Sequence, residues 1–423
     1  MVMQQQTPET GWPSSLDRSN TYTQTIDGRV IERWSHENRS PWDYPDPQTH
    51  HFFLVHPRKA DGPAPLCVVL HSANRTALDY LGYFFLNRKV DLGDQPSDIG
   101  VQIPDSFFAL FLNSDNDEWW GSTHTLNDPT RFVNEPAPAA RRVLDIVAWA
   151  TATHRLDRNR IYLTGISMGG CGSLGIGLPR GDVFAAVRVQ VPAGTAYAAC
   201  RMGFPPAGAS QAQWAAWNLS MAKARLPDPP PVVDLSAPDD AWSNDQGVLL
   251  QAARDGRLPL IVGWGPFGHT GARSPVARYP NCAAVLAWPW LEILRNEAYP
   301  VFTHASTDQR APWSGSPGGS DESGQINAFF RWKSRADAPA ELIMQLWLDD
   351  LRPEAPQESV ADVTLRRLQQ FRVVPDKRYA WKLIRGGQLL ASGVITPDAA
   401  GLLTVPQATI TAAPSELHLK PEN

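Results

Sequence analysis

The stretch Arg-Ile-Tyr-Leu-Thr-Gly-Ile-Ser-Met-Gly-Gly, residues 160–170, is an apolar strand that runs directly into a serine flanked by glycines. The pattern Gly165-x-Ser167-x-Gly169 carries information only at a sharp turn from a strand to a helix. There, small flanking residues let the backbone fold tightly and push the serine Oγ out of the sheet. More small residues follow over 169–173. The stretch therefore predicts a strand, a nucleophile elbow at Ser167 and a helix.

Further elements on both sides of this motif predict the fold class. Pro65–Leu70 is continuously apolar, which indicates a strand buried on both faces of a parallel sheet, and Phe107–Leu112 has the same character. His51–Val55 is a further predicted strand, and buried strands are predicted in Val183–Val191, Val232–Leu235 and Leu258–Gly263. Val143, Ile146, Val147 and Ala150 recur at i, i+3, i+4 and i+7, which predicts an amphipathic helix over 139–153. A last helix is predicted over 286–302. Alternating strands and helices indicate an α/β fold, with a mostly parallel sheet covered by helices on both faces.

The length of 423 residues predicts two or three domains. Residues 1–50 are polar and form a predicted N-terminal strap, and residues 51–304 form the α/β domain, with a cap-like insertion at 195–231. Residues 305–325 are rich in Ser, Gly, Pro and Asp, which is typical of a linker. Short alternating strands over 326–423 predict a small all-β sandwich of immunoglobulin or fibronectin type.

Composition excludes several classes of partner. The formal charge is −5 and no segment concentrates Lys and Arg, so a nucleic-acid partner is not expected. No apolar run approaches the about 20 residues of a membrane span, and the polar residues 1–8 are not typical of a signal peptide. The four cysteines are scattered without metal-ligand spacing. Buried free thiols are expected at Cys67 and Cys171, and the sequence does not decide whether one or two disulfides form.

A serine hydroxyl becomes a nucleophile when a base takes its proton and an acid holds that base in the correct tautomer. Three histidines follow Ser167, namely His269, His304 and His418. His269 lies on a glycine-rich loop just past a buried strand and is the predicted base. The other two are predicted to be structural or surface histidines.

The acid is expected on the loop after the strand Val232–Leu235, because the chain order serine, acid, histidine is typical of hydrolases with such an elbow. Asp240 is favoured because the residues after it fit the descent into the next helix. Asp239 remains the alternative.

Two backbone N–H groups usually stabilise the tetrahedral intermediate. Met168, directly after the serine, is the predicted first donor, and Ala73, on the loop after the strand Pro65–Leu70, is the second. His71 on the same loop is expected to brace it. Candidate substrate-contacting residues on loops at this edge, for which packing remains the alternative, are Asn74, Trp119, Trp120 and Trp264.

Residues 156–170, followed by Phe-Ala-Ala-Val at 184–187, strongly resemble α/β-hydrolase esterases of the polyhydroxybutyrate-depolymerase-like, feruloyl-esterase-like and dienelactone-hydrolase-like group. The resemblance covers about residues 50–300. It implies a Ser-His-Asp carboxylic ester hydrolase without metal or cofactor, with Ser167 as nucleophile, Asp240 as acid and His269 as base. It also implies Met168 and Ala73 as oxyanion donors and favours a secreted or periplasmic location. Such proteins usually have glycine where this chain has Ser72.

The sequence thus predicts a serine esterase for small acyl or aryl esters, of feruloyl or acetyl type, free or linked to plant polysaccharides. One alternative is a prolyl-oligopeptidase-like serine peptidase, although the chain lacks the long repeat-rich propeller of such enzymes. The other is a carbohydrate-binding or adhesion protein with an inert hydrolase domain. The oligomeric state is left open.

Overall fold

A computed structural model of the chain describes residues 19–26, 28–37, 44, 47–85, 102–114, 120, 137–192, 228–240, 246–269, 275–310, 313 and 322–422. Of the predictions above, Trp119 and residues 195–227 of the cap-like insertion lie outside these ranges.

Strands account for most of the regular structure. The first nine are β1 (Ser19–Ile26), β2 (Arg29–Glu37), β3 (Thr49–Val55), β4 (Ala64–Leu70), β5 (Phe108–Leu112), β6 (Leu156–Ile166), β7 (Ala186–Gln190), β8 (Val232–Ser236) and β9 (Leu260–Trp264). The others are β10 (Tyr299–Thr303), β11 (Gly324–Ile326), β12 (Phe330–Ala338), β13 (Glu341–Leu348), β14 (Glu358–Arg366), β15 (Tyr379–Arg385), β16 (Gln388–Ile395), β17 (Leu403–Thr411) and β18 (Ser415–Pro421). The α-helices of the described ranges are α1 (Ala77–Phe85), α2 (Pro138–Thr153), α3 (Met168–Gly177), α4 (Gln246–Gly256) and α5 (Pro280–Leu286).

The main sheet has the strand order β1-β2-β3-β5-β4-β6-β7-β8-β9-β11 among the described residues. The six strands from β5 to β9 in this order run parallel, and the outer strands pair antiparallel. Every residue of β4, β5, β7, β8 and β9 is buried, because layers of chain cover both faces. The predicted mostly parallel sheet of buried strands is confirmed.

Helices lie on both faces of this sheet. The buried apolar residues of α1 and α5, Leu81 and Val285 among them, belong to one hydrophobic cluster together with Val69 and Val233. Those of α2, α3 and α4 belong to a second cluster together with Val68 and Leu163. Neighbouring strand residues point to opposite faces, so the two clusters are the two sides of one sheet. The helix predicted over 139–153 is confirmed as α2. No described helix is both long and apolar enough to cross a bilayer.

The prediction of a helix over 286–302 is wrong. α5 ends at Leu286, a single 3₁₀ turn follows at Trp290–Glu292, and β10 then begins at Tyr299. Pro289 and Pro300 explain the difference, since proline lacks the N–H that a helix interior requires and disfavours a helical residue before it.

The C-terminal part contains two antiparallel sheets, with strand orders β10-β14-β17 and β12-β13-β18-β15-β16. Alternate residues of β13 are buried, as expected for a strand with one face on a core. Residues of both sheets, for example Met344 and Val363, share one hydrophobic cluster.

Strand membership differs from the predicted segments. β1 and β2, from the predicted strap, extend the main sheet, and β11, from the predicted linker, pairs with β9. β10, which was assigned to the α/β domain, pairs with β14 in the C-terminal part. The chain therefore passes between the two parts more than once. Local composition did not predict this, because the partner of a strand depends on tertiary pairing.

Candidate active site

Ser167 occupies the turn between β6 and α3. Its backbone has φ 55° and ψ −120°, a conformation that non-glycine residues rarely adopt and that costs about 1–3 kcal/mol. The residue is 7% exposed. A strained, strand-to-helix serine is the backbone feature that the Gly-x-Ser-x-Gly pattern predicted.

Both glycines that flank this serine are sterically required. A Cβ added at Gly165 would overlap the carbonyl oxygen of Gly169 and lie 2.9 Å from Ser173 Oγ. A Cβ added at Gly169 would overlap the carbonyl oxygen of Leu70 and lie 2.8 Å from that of His71. The turn after Ser167 therefore lies directly against the end of β4.

Three side chains meet at this turn through hydrogen bonds. His269 Nε2 lies 2.9 Å from Ser167 Oγ, and His269 Nδ1 lies 2.7 Å from Asp240 Oδ2. The carboxylate of Asp240 is buried and accepts a hydrogen bond from Nδ1–H, which leaves Nε2 to accept a hydrogen bond from the serine hydroxyl. This arrangement gives a serine, a base and an acid in contact.

The parallel sheet brings these residues together from distant parts of the chain. β6, β8 and β9 end at the same edge, and the residues that follow them carry Ser167, Asp240 and His269 respectively. Carboxyl ends of parallel strands meet in this way in all such sheets, so loops after different strands share one crevice.

Asp239, the alternative acid, makes a different contact. Its Oδ1 accepts the backbone N–H of Gly268 at 3.0 Å. Gly268 has φ 69°, a left-handed conformation that glycine adopts at low cost. Asp239 therefore holds the loop that carries His269, a role that no sequence pattern signalled.

The groups expected to bind an oxyanion lie directly after Ser167 and on the loop after β4. Met168 is the first residue of α3, and Ala73 is half-buried on the loop after β4. Ser72 has a negative φ, so glycine is not required there, and the left-handed conformation falls instead on the exposed Asn74, with φ 57°. A serine at position 72 is therefore compatible with this loop.

Two tryptophans predicted to contact substrate are packed inside the protein instead. Trp120 is 0% exposed and its Nε1–H donates to the carbonyl oxygen of His71 at 3.1 Å. Trp264 is 1% exposed, lies edge-on to Trp313 at 5.8 Å and closely approaches Gly324. Both rings are therefore buried in this structure, which favours the packing alternative for these two residues.

Other polar groups near this edge are accounted for by local partners. Asp234 on β8 is fully buried and accepts hydrogen bonds from Ser236 Oγ, at 2.8 Å, and from Gln246 Nε2. Burial raises the pKa of Asp234 to about 7. His304 pairs with Asp362, and His418 pairs with carboxylates of the C-terminal part, consistent with structural roles.

Neither a disulfide nor a metal-binding cluster is found among the described residues. Cys67, Cys171 and Cys282 are buried and form no disulfide. Within the described part of the chain, no three or more His, Cys, Asp or Glu residues are grouped so that they could hold a metal ion.

Comparison with known proteins finds likeness in structure and none in sequence. No family model matches the chain, and no curated protein matches it. An S-formylglutathione hydrolase from Staphylococcus aureus is similar in structure at 16% identity and a TM-score of 0.41, over 63% of this chain and 99% of that one. A ferulic acid esterase is similar at 12% identity and a TM-score of 0.35, over 62% and 98%. An acetyl xylan esterase from Aspergillus awamori is similar at 14% identity and a TM-score of 0.37, over 52% and 79%.

Proposed function

We propose that the protein is a serine carboxylic ester hydrolase that works through an acyl-enzyme on Ser167. The observation that carries the proposal is the pair of hydrogen bonds that joins Ser167, His269 and Asp240 at the strained elbow. The three residues also follow one another in the chain order typical of this class of hydrolase.

In the proposed acylation, His269 Nε2 takes the Ser167 proton while Oγ attacks the ester carbonyl carbon. The imidazolium that forms is stabilised by Asp240, whose buried carboxylate accepts Nδ1–H. The N–H groups of Met168 and Ala73 are the proposed donors to the tetrahedral oxyanion. The C–O bond to the leaving alcohol then breaks, and His269 returns its proton to that alcohol.

In the proposed deacylation, water enters the position that the alcohol leaves. His269 removes a proton from this water, the resulting hydroxide attacks the acyl carbon, and the acid departs as Ser167 recovers its proton.

The proposed substrates are esters of small acyl or aryl acids, of acetyl or feruloyl type, free or on plant polysaccharides. The motif resemblance of residues 156–170 supports this class. Trp120 and Trp264 are buried, so stacking on these two rings provides no additional support for aryl substrates. The exposed Asn74 remains the proposed substrate contact among the described residues.

The test compares p-nitrophenyl acetate, methyl ferulate and a peptide anilide as substrates for the wild type and for Ser167→Ala. We expect the wild type to hydrolyse an ester and Ser167→Ala to lose about 10⁶-fold in kcat, because the nucleophile is removed. Ser173→Ala is the matched control, since this buried serine lies further along the same helix, and we expect it to keep its activity.

Each alternative has its own signature in this experiment. An active Ser167→Ala variant would contradict the mechanism. Cleavage of the anilide in preference to the esters would favour the peptidase, and a wild type inert on every substrate would favour the carbohydrate-binding protein.

We further propose that the two C-terminal sheets form a β-sandwich that braces the α/β part. Ion pairs and hydrogen bonds between the two parts support this role. Arg366 pairs with Asp228 at 2.7 Å, and Arg367 donates to carbonyl oxygens of Ala185, Leu294 and Glu297.

A further inference from the structure

His71 is the first residue after β4, and both of its ring nitrogens are engaged by backbone groups. Nδ1 lies 2.8 Å from the carbonyl oxygen of Ser72, and Nε2 lies 2.9 Å from the backbone nitrogen of Ser114. The side chain is almost fully buried.

These two contacts determine which nitrogen carries the proton. A backbone N–H can only donate, so Nε2 must accept from Ser114. The imidazole is then neutral with its proton on Nδ1, and Nδ1–H donates to the carbonyl oxygen of Ser72. A carbonyl can only accept, so both contacts require the same tautomer.

The orientation of the Ser72 carbonyl also determines the orientation of the next amide. The C=O of Ser72 and the N–H of Ala73 belong to one planar peptide unit, and in a trans peptide they point in opposite directions. A carbonyl held toward the His71 ring therefore turns the Ala73 N–H away from that ring.

The loop that contains this peptide lies beside the elbow. Gly169, two residues after the nucleophile, approaches the carbonyl oxygens of Leu70 and His71 so closely that a Cβ has no room. The loop after β4 is therefore in direct contact with the turn that carries Ser167.

Neighbouring groups keep the imidazole in place. The Trp120 ring lies 5.2 Å from that of His71, and Tyr80 lies at 6.2 Å on an edge contact. Trp120 donates through Nε1 to the His71 carbonyl oxygen and through its backbone N–H to Ser114 Oγ, both at 3.1 Å. The buried Trp120 thus links the loop after β4 to the loop after β5.

We propose that His71 is a positioning residue, whose neutral Nδ1–H imidazole holds the Ser72 carbonyl so that the Ala73 N–H faces the oxyanion. This role rests on the proposed function. In this role a side chain fixes the backbone at position 72, where glycine would leave the peptide free to adopt other conformations.

Two substitutions of similar size separate the two hydrogen bonds. His71→Asn places an amide N–H where Nδ1 stands and keeps the donor to Ser72. His71→Gln extends to the position of Nε2 and keeps the acceptor for Ser114, and His71→Leu removes both. We expect Gln and Leu to lower kcat for p-nitrophenyl acetate about 100- to 1000-fold, the usual effect of losing one oxyanion donor, while Asn stays within about tenfold of wild type.

Substrate affinity separates this role from general bracing. The oxyanion exists only in the transition state and the intermediates, so KM should change by less than about threefold in all three variants. The affinity for a trifluoromethyl ketone, which forms a tetrahedral adduct with the serine, should fall with kcat/KM. A Gln variant that keeps its kcat, or an Asn variant that loses as much as Leu, would overturn the proposal.

A measurement on the unmutated protein does not depend on how the variants fold. Nitrogen-15 NMR of histidine-labelled wild type should show a buried imidazole protonated on Nδ1, and an Nε2–H tautomer for His71 would overturn the proposal. A wild type that hydrolyses no ester overturns the proposed function and with it the oxyanion role of Ala73. An active wild type whose Gln variant keeps full kcat overturns the role of His71 alone.

Discussion

Asp239 and Asp240 are adjacent in the chain and make different contacts. Asp240 bonds to the His269 ring, whereas Asp239 bonds to the backbone of the loop that carries this ring. The two aspartates and the strand before them predicted that the acid lies on the loop after β8. Choosing between the two needed the direction of each side chain, which local sequence does not encode.

Substitution of each aspartate by asparagine should separate these contacts. We expect Asp240→Asn to lower kcat about 10⁴-fold, because the amide no longer holds His269 in the productive tautomer. Asp239→Asn keeps an oxygen that accepts from Gly268, so we expect a loss of less than about tenfold. Steady-state hydrolysis of p-nitrophenyl acetate measures both, and equal losses would instead make Asp239 part of the catalytic group.

At the scale of single elements, continuous apolarity identified the central strands and the 3.6-residue period identified α2. The same approach failed over 286–302, where prolines interrupt an apolar run. It also did not predict that the arginines in two of these elements, α2 and β7, are buried. Arg188 on β7 and Arg142 on α2 are both buried, and their surroundings differ.

Arg142 has hydrogen-bond partners, whereas two nitrogens of the Arg188 guanidinium have none among the described residues. Arg142 donates to the carbonyl oxygen of Asn113 at 2.8 Å and to Tyr44 Oη at 2.9 Å. Nε and Nη2 of Arg188 have no hydrogen-bond partner in the structure as described. Burial lowers the pKa of Arg188 to about 10, with the Cys67 thiol as the neighbouring titratable group, so the side chain remains charged at pH 7.

Replacing each arginine by methionine should therefore change stability in opposite directions. We expect Arg188→Met to raise the free energy of unfolding by about 1–4 kcal/mol, because a buried charge with two nitrogens that lack hydrogen-bond partners is replaced by an apolar chain of similar length. Arg142→Met should lower it by about 1–3 kcal/mol, because a carbonyl and a hydroxyl lose their partner. Urea unfolding at pH 7 measures both, and a destabilised Arg188→Met would contradict this interpretation.

At the scale of the whole molecule, the C-terminal sheets are joined to the α/β part by buried cations. The guanidinium of Arg367 lies 4.7 Å from the centre of the Tyr299 ring and donates to three carbonyl oxygens. β10 belongs to a sheet of the C-terminal part and the following strand, β11, belongs to the main sheet, so the chain crosses between the two parts. Such a junction favours folding as one cooperative unit.

We expect a single thermal transition, in which loss of secondary structure by circular dichroism coincides with loss of ester hydrolysis. Arg367→Ala should lower the free energy of unfolding by about 3 kcal/mol, because three backbone carbonyl oxygens, the buried one of Ala185 among them, lose a donor. Arg378→Ala is the control, since its ion pair with Glu422 is exposed and should contribute less than about 1 kcal/mol. Two separate transitions in the wild type would show instead that the C-terminal part folds independently.

The sequence by itself determined the elbow, the parallel strands that precede and follow it, and the order of Ser167, an acid and His269. These features depend on local patterns, namely small residues at a turn, apolar runs and the spacing of loops after strands. Tertiary structure alone decided that Asp240 meets His269, that Trp120 and Trp264 are buried, and that His71 engages the peptide after it. Those outcomes depend on which strands are neighbours and which side chains they cover, and such contacts join residues far apart in the chain.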